Sequence, residues 1–260
     1  MSKLDDFLNK NNIIPSEELP AVHTTQAFNL QEIIDTAELT PRPCNVFKGE
    51  DLLYYFYGKP SYKPYTSLAQ SRPFEMPVCF MVPLSALSPI KRIYPFDSGA
   101  FVGNRHPDYI SKMKIGNFEA TPSLNNPRKI VGALFTSVEK FFSLDGKNEN
   151  DFKNEFHLGI LDAEMTALNI LANDKSLSTI DDRRFAVEIQ IDHAQPLNSK
   201  TVDAVVLPEQ YLEDTTVVSF VTETLQAVPI TYTVFSASSS DHTPLIYSKI
   251  LEYYKDQGTI

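Results

Sequence analysis

The chain places an imidazole and two hydroxyls early and one carboxylate late, each where it could act on a ligand. Val22-His23-Thr24-Thr25 reads as the end of a short strand running into a helix. Free backbone N–H groups at a helix N-terminus suit phosphate or ribose oxygens, and His23, Thr24 and Thr25 would stand beside them. The same residues also suit a plain helix cap made by one of the threonines. Much later, Phe185-Ala186-Val187-Glu188-Ile189-Gln190-Ile191 reads as a strand with Glu188 in its middle. Alternation puts Phe185, Val187, Ile189 and Ile191 on one face and Ala186, Glu188 and Gln190 on the other. Where that second face lines a cleft, Glu188 loses hydration and can stabilise a developing cation or take a proton. Where it faces water, Glu188 is an ordinary polar residue of an antiparallel sheet. Together the two segments predict a His–Glu cleft.

A third feature is aromatic. Leu52-Leu53-Tyr54-Tyr55-Phe56-Tyr57 reads as a strand, closed by Gly58-Lys59-Pro60. Tyr55 and Tyr57 point one way, Tyr54 and Phe56 the other, so one pair feeds a core and the other is able to stack on a flat ring. Lys59 is a candidate phosphate contact or a solvated cation beside Pro60. Several familiar chemistries are absent: there is no P-loop, no G-x-G-x-x-G, no H-E-x-x-H, no C-x-x-C and no G-x-S-x-G. His106, His157, His193 and His242 lack ligand-like spacing, so no metal site is expected.

These side chains must be carried by a framework. Pro20 introduces the short strand before His23, and Leu30, Ile33, Ile34 and Ala37 give the next helix one apolar face. Val78-Cys79-Phe80-Met81-Val82 reads as a strand covered on both faces, and Lys91-Arg92-Ile93-Tyr94 as another. Phe96 to Phe101, with Asp97-Ser98-Gly99, reads as a turn, and Asp145 to Asn154 as a polar loop. Helical spacing recurs from Ile130 to Phe142 and from Leu161 to Ala172. Val202 to Leu207 and Ile230 to Phe235 read as strands, Ser236 to Asp241 as a flexible linker, and Thr243-Pro244 as the start of a last helix. Residues 1–19 read as a short helix or a mobile arm. Strands and helices intersperse without strict alternation, which predicts a single α+β domain over residues 1–260.

Bulk properties narrow the function. A net charge of −10 does not advertise general nucleic-acid binding, although Lys59, Lys63, Lys91, Arg92, Lys112 and Lys114 leave room for a local basic groove. The two cysteines, Cys44 and Cys79, have no disulfide or metal spacing, and no apolar run is long enough for a bilayer. A cytoplasmic protein with no membrane partner is expected.

Taken in order, Val22-His23-Thr24-Thr25, Asn29-Leu30 and Ile33-Ile34 resemble the opening of the DNA-targeting, DarT-like ADP-ribosyltransferase toxins. Tyr54 to Tyr57 with Gly58-Lys59-Pro60 resembles their aromatic strand and turn, and Ala186-Val187-Glu188-Ile189 their glutamate strand. About half the chain is unmatched, Val187 departs from the pattern, and only Arg42 and Lys59 stand as candidates for the family's arginine. The resemblance implies a split, twisted β-sheet with surrounding helices and NAD as substrate. It implies His23 and Thr24 on a ribose, Thr25 beside them, Tyr54 or Tyr57 on nicotinamide, and Glu188 stabilising the ribosyl cation and deprotonating the acceptor. The loop Asn173 to Asp182 would recognise that acceptor, a nucleic acid (DNA or RNA) or a protein. It further implies a mono-ADP-ribosyltransferase of a toxin–antitoxin or phage-defence system, with a cognate antitoxin as partner. Two rivals stand beside this expectation: an RNA 2′-phosphotransferase-like enzyme, and a noncatalytic, partner-controlled binding module.

Overall fold

A computed structural model describes residues 1–61, 69–174 and 185–260. Lys63 and most of the Asn173 to Asp182 loop lie outside them. In chain order the strands are β1 (Ala21–Gln26), β2 (Glu38–Leu39), β3 (Arg42–Pro43), β4 (Asp51–Tyr57), β5 (Pro77–Val82), β6 (Arg92–Tyr94), β7 (Glu188–Ile191), β8 (Gln195–Pro196), β9 (Ala204–Pro208) and β10 (Val228–Tyr232). The helices are α1 (Lys3–Lys10), α2 (Leu30–Thr36), α3 (Ser98–Val102), α4 (Asp108–Ser111), α5 (Asn126–Leu134), α6 (Val138–Ser143), α7 (Glu149–Glu155), α8 (Ala163–Asn173), α9 (Thr215–Ser219) and α10 (Thr243–Asp256). The fold is α+β, with a mixed sheet and surrounding helices. It divides into two compact units, one of Met1–Glu18, Pro43–Glu50 and Pro89–Ile191, the other of Leu19–Arg42, Asp51–Ser88 and Asp192–Ile260.

The second unit is built on strands in the order β10-β9-β5-β1-β4. β5 lies inside it, antiparallel to β1 on one side and β9 on the other, and every residue from Pro77 to Val82 is buried. That is what its unbroken apolar run predicts. β9 and β10 are parallel, and parallel neighbours need a crossover, here supplied by α9 and the wide helical turn Phe220–Thr224. α10 buries Ile246, Ile250 and Tyr254. β4 ends at Gly58, whose φ of +68° favours glycine. Its N–H donates to Pro20 O at 2.8 Å, and Tyr254 OH donates to its carbonyl at 3.2 Å. The expected linker before α10 is instead a tight turn, Ser239–His242, because Ser238 and Asp241 cap it reciprocally and His242 is buried.

The first unit pairs β6 with β7 and surrounds them with helices. Residues 3–10 form α1, whose Leu4, Phe7 and Leu8 are buried; Phe7 meets Phe152 and Phe156 at ring separations of 5.9 and 5.0 Å. Three local expectations give way here. The turn at Phe96 to Phe101 contains α3, because Asp97 Oδ1 accepts the Ala100 N–H and nucleates a helix. The polar loop before Asn154 contains α7, capped by Asn148 and anchored by buried Phe152. The Ile130 to Phe142 periodicity splits into α5 and α6, the second started by Ser137. Among the described residues no helix is long and apolar enough to cross a membrane.

Candidate functional site

Glu188 opens β7 rather than sitting mid-strand, and it stands opposite Tyr94 in an antiparallel ladder that also pairs Ile93 with Ile189 and Arg92 with Gln190. Ile93 and Ile189 form one face. Arg92, Tyr94, Glu188 and Gln190 form the other. The sequence left open whether this second face meets water. It does not: Ala186, Glu188 and Gln190 are all buried, with Glu188 only 1 % exposed.

A buried carboxyl needs partners, and neighbouring elements supply them. The Ser98 N–H donates to Glu188 Oε2 at 2.9 Å, Ser98 Oγ to Oε1 at 2.7 Å, and Gln190 Nε2 to Oε1 at 2.6 Å. Ser98 is delivered by the first turn of α3, which Asp97 caps. Burial, and then the nearby Asp97 carboxylate, push Glu188 up to about 8, and the donors from Gln190 and Ser98 hold it back from rising further. Glu188 thus exchanges its proton near neutrality, where a general acid–base group works best. Tyr94 donates to Glu119 Oε2 at 2.8 Å; burial, then that bond, push its phenol far up, so it stays protonated. Beyond Gln190, Arg92 grips Glu50 with two hydrogen bonds of 2.7 and 2.8 Å, and Lys91 adds an ion pair at 3.0 Å. Arg92 and then Lys91 hold Glu50 down at about 2.

The other unit holds the remaining predicted residues. His23 lies within β1, paired with Phe80 of β5, rather than at a strand-to-helix junction. The strand continues to Gln26 because β5 offers it a partner throughout. Nor do Thr24 and Thr25 cap a helix: Thr24 Oγ1 lies 3.4 Å from Cys79 Sγ, and Thr25 Oγ1 accepts from Asn29 Nδ2 at 2.8 Å. The His23 ring donates from Nδ1 to Tyr54 O at 2.9 Å and packs on Tyr55 at 5.5 Å between centroids. A carbonyl can only accept, so the proton sits on Nδ1 and Nε2 is left as an acceptor. Burial lowers His23 to about 4, with the Tyr54 bond opposing, so the imidazole is neutral at ordinary pH.

Tyr57 is buried with its OH accepting from Leu19 N–H at 3.1 Å, while Tyr54 is half-buried. The Tyr55 hydroxyl is buried with no partner among the described residues. Arg42 makes an exposed ion pair with Glu32 at 2.7 Å. Lys59 is buried, and burial lowers its ammonium well below the usual value. The structure therefore gathers His23, Tyr54 and Tyr55 in one unit. It gathers Glu188, Gln190, Ser98, Asp97 and Arg92 in the other. Of this second set the sequence singled out only Glu188 as reactive. The signals for two more were present, in Gln190 two residues on and in Asp97-Ser98-Gly99 as an N-cap. Arg92 was read only as a strand residue and as one of the cations that leave room for a local basic groove, and nothing local tied it to Glu188. No group of three or more His, Cys, Asp or Glu side chains suited to a metal occurs among the described residues.

No family model matches this sequence, and no curated protein matches it either.

Proposed function

We propose that this chain is a cytosolic, NAD-dependent mono-ADP-ribosyltransferase of a toxin or phage-defence type, with Glu188 as its reactive acid. The acceptor is a nucleic acid or a protein, and a cognate antitoxin restrains the enzyme. One observation carries the reading. Glu188 is a buried carboxyl held by three donors and poised to change charge close to pH 8. In the reaction, the bond from ribose C1′ to nicotinamide breaks and nicotinamide leaves with the bonding pair. The acceptor's nucleophile bonds to C1′ and its proton passes to the Glu188 carboxylate. A carboxylate beside C1′ also offsets the positive charge that develops there. In the other unit, His23 presents a neutral Nε2 that can accept a hydrogen bond from a ligand hydroxyl. Since the base form of Glu188 is required, kcat/KM rises with pH up to about 8.

A second reading draws on the same carboxyl. Glu188 is only 1 % exposed and both its oxygens are engaged by its own neighbours, as in a clamp holding α3 inside a noncatalytic module. Incubation with labelled NAD and separate pools of DNA, RNA and protein separates the two. Mass spectrometry then looks for an added ADP-ribose. Transfer by the native chain that disappears in a folded Glu188→Gln variant supports the enzyme. Undiminished transfer by that variant removes Glu188 from the chemistry. A native chain that neither binds nor consumes NAD favours the module.

A further inference from the structure

Arg92 has little freedom. Its Nη1 donates to Glu50 Oε2 at 2.8 Å and to Gln190 Oε1 at 3.3 Å, and its Nη2 donates to Glu50 Oε1 at 2.7 Å. The guanidinium also lies 4.4 Å from the centre of the Phe47 ring. A guanidinium carries donors only, whereas a carboxamide has one donor end and one acceptor end. Arg92 therefore demands the oxygen of Gln190. The amide nitrogen is turned to the other side, 2.6 Å from Glu188 Oε1 and 3.3 Å from Ser98 Oγ.

We propose that Arg92 is a positioning residue for Glu188, acting through the Gln190 carboxamide whose donor end it holds toward the carboxyl group. The inference rests on the reading of Glu188 as the reactive acid. With Arg92 in place, the carboxylate receives an N–H from Gln190 as well as the two donors of Ser98. Without Arg92 the carboxamide can turn over and present its oxygen. That oxygen repels a carboxylate but accepts from a protonated carboxyl, so the balance moves toward the protonated form. Other charged or titratable groups surround the acid. Asp97 disfavours its ionisation, Tyr94 stands opposite with its hydroxyl on Glu119, and Lys91 and Glu50 meet beside Arg92. The Glu50 carboxylate offsets the charge of the guanidinium it grips, so orientation is the main thing Arg92 passes on.

The test is a carbon-13 NMR titration of the glutamate side chains. The Glu188 resonance is identified by its loss in Glu188→Gln. Arg92→Met is expected to raise the Glu188 midpoint by about one pH unit, the worth of one hydrogen bond to an ionised group. Arg92→Lys, which keeps the charge but not the fork, raises it by less and guards against a misfolded Met variant. In a Gln190→Met background, removing Arg92 produces little further shift, as a coupled pair requires. An unchanged midpoint in both Arg92 variants overturns the proposal, and so does an equal shift with and without Gln190. In NAD turnover, the rising limb of kcat moves by the same interval while KM for NAD stays within about twofold. Failure of the native chain to consume NAD counts against the transferase reading alone, because the titration still decides whether Arg92 orients the acid.

Discussion

Replacing Glu188 with Gln should make the protein less stable in acid and more stable in base than the native chain. Folding raises the carboxyl from its ordinary 4.5 to about 8. Between those values the unfolded chain has lost a proton that the folded protein keeps, so unfolding releases a proton and stability falls as pH rises. The interval is about 3.5 pH units; at about 1.4 kcal/mol per unit the folded state loses about 5 kcal/mol by pH 8, and about 3 by pH 7. Relaxation around the buried charge makes these ceilings. A glutamine carries no such penalty. It does bring an NH2 group into a pocket where Ser98 N–H, Ser98 Oγ and Gln190 Nε2 already donate, leaving one donor opposed by another at about 1–2 kcal/mol. The variant should therefore be weaker by about 1 kcal/mol or less at pH 5 and stronger by about 3 at pH 8, the two curves crossing between about pH 5 and 6. Urea unfolding of both proteins in steps from pH 5 to 9 reads this directly, since titrating groups that do not interact with Glu188 cancel in the difference. Parallel curves, or a variant that loses ground as pH rises, would refute the reasoning.

Two further outcomes follow from the other unit. Gly58→Ala should cost about 2 kcal/mol or more in thermal unfolding, because φ is +68° and a Cβ would stand 2.4 Å from Leu19 Cδ1, which is buried. Nitrogen-15 NMR should show the His23 imidazole neutral, with its proton on Nδ1, until the pH nears 4. Its folded value lies below the ordinary 6.5, so the stability it contributes is present above 6.5 and is lost as pH falls from 6.5 toward 4, and a midpoint near 6.5 would contradict the half-buried, Tyr54-bound ring.

Much of the framework was legible in the chain. The apolar run at Val78 to Val82 and the aromatic run at Leu52 to Tyr57 became β5 and β4, and Thr243-Pro244 opened α10, because runs, alternation and caps act over a few residues. The expected polar loop became α7 for one local and one tertiary reason: Asn148 capped it, and Phe152 found a core that includes Phe7 of α1. Alternation likewise placed Ala186, Glu188 and Gln190 on one face, but could not say what would lie over it. That cover is non-local. Ser98 stands 90 residues from Glu188 in sequence and Arg92 lies 98 from Gln190, and the β6–β7 register and the start of α3 bring them into reach. The same holds for His23. Its residue type was visible, yet its place inside β1 depended on β5 pairing as far as Gln26, and its proton position on the carbonyl of Tyr54. Local pattern selects which atoms share a face. Solvation and charge, which set what a carboxyl or an imidazole can do, depend on what the folded chain packs around them.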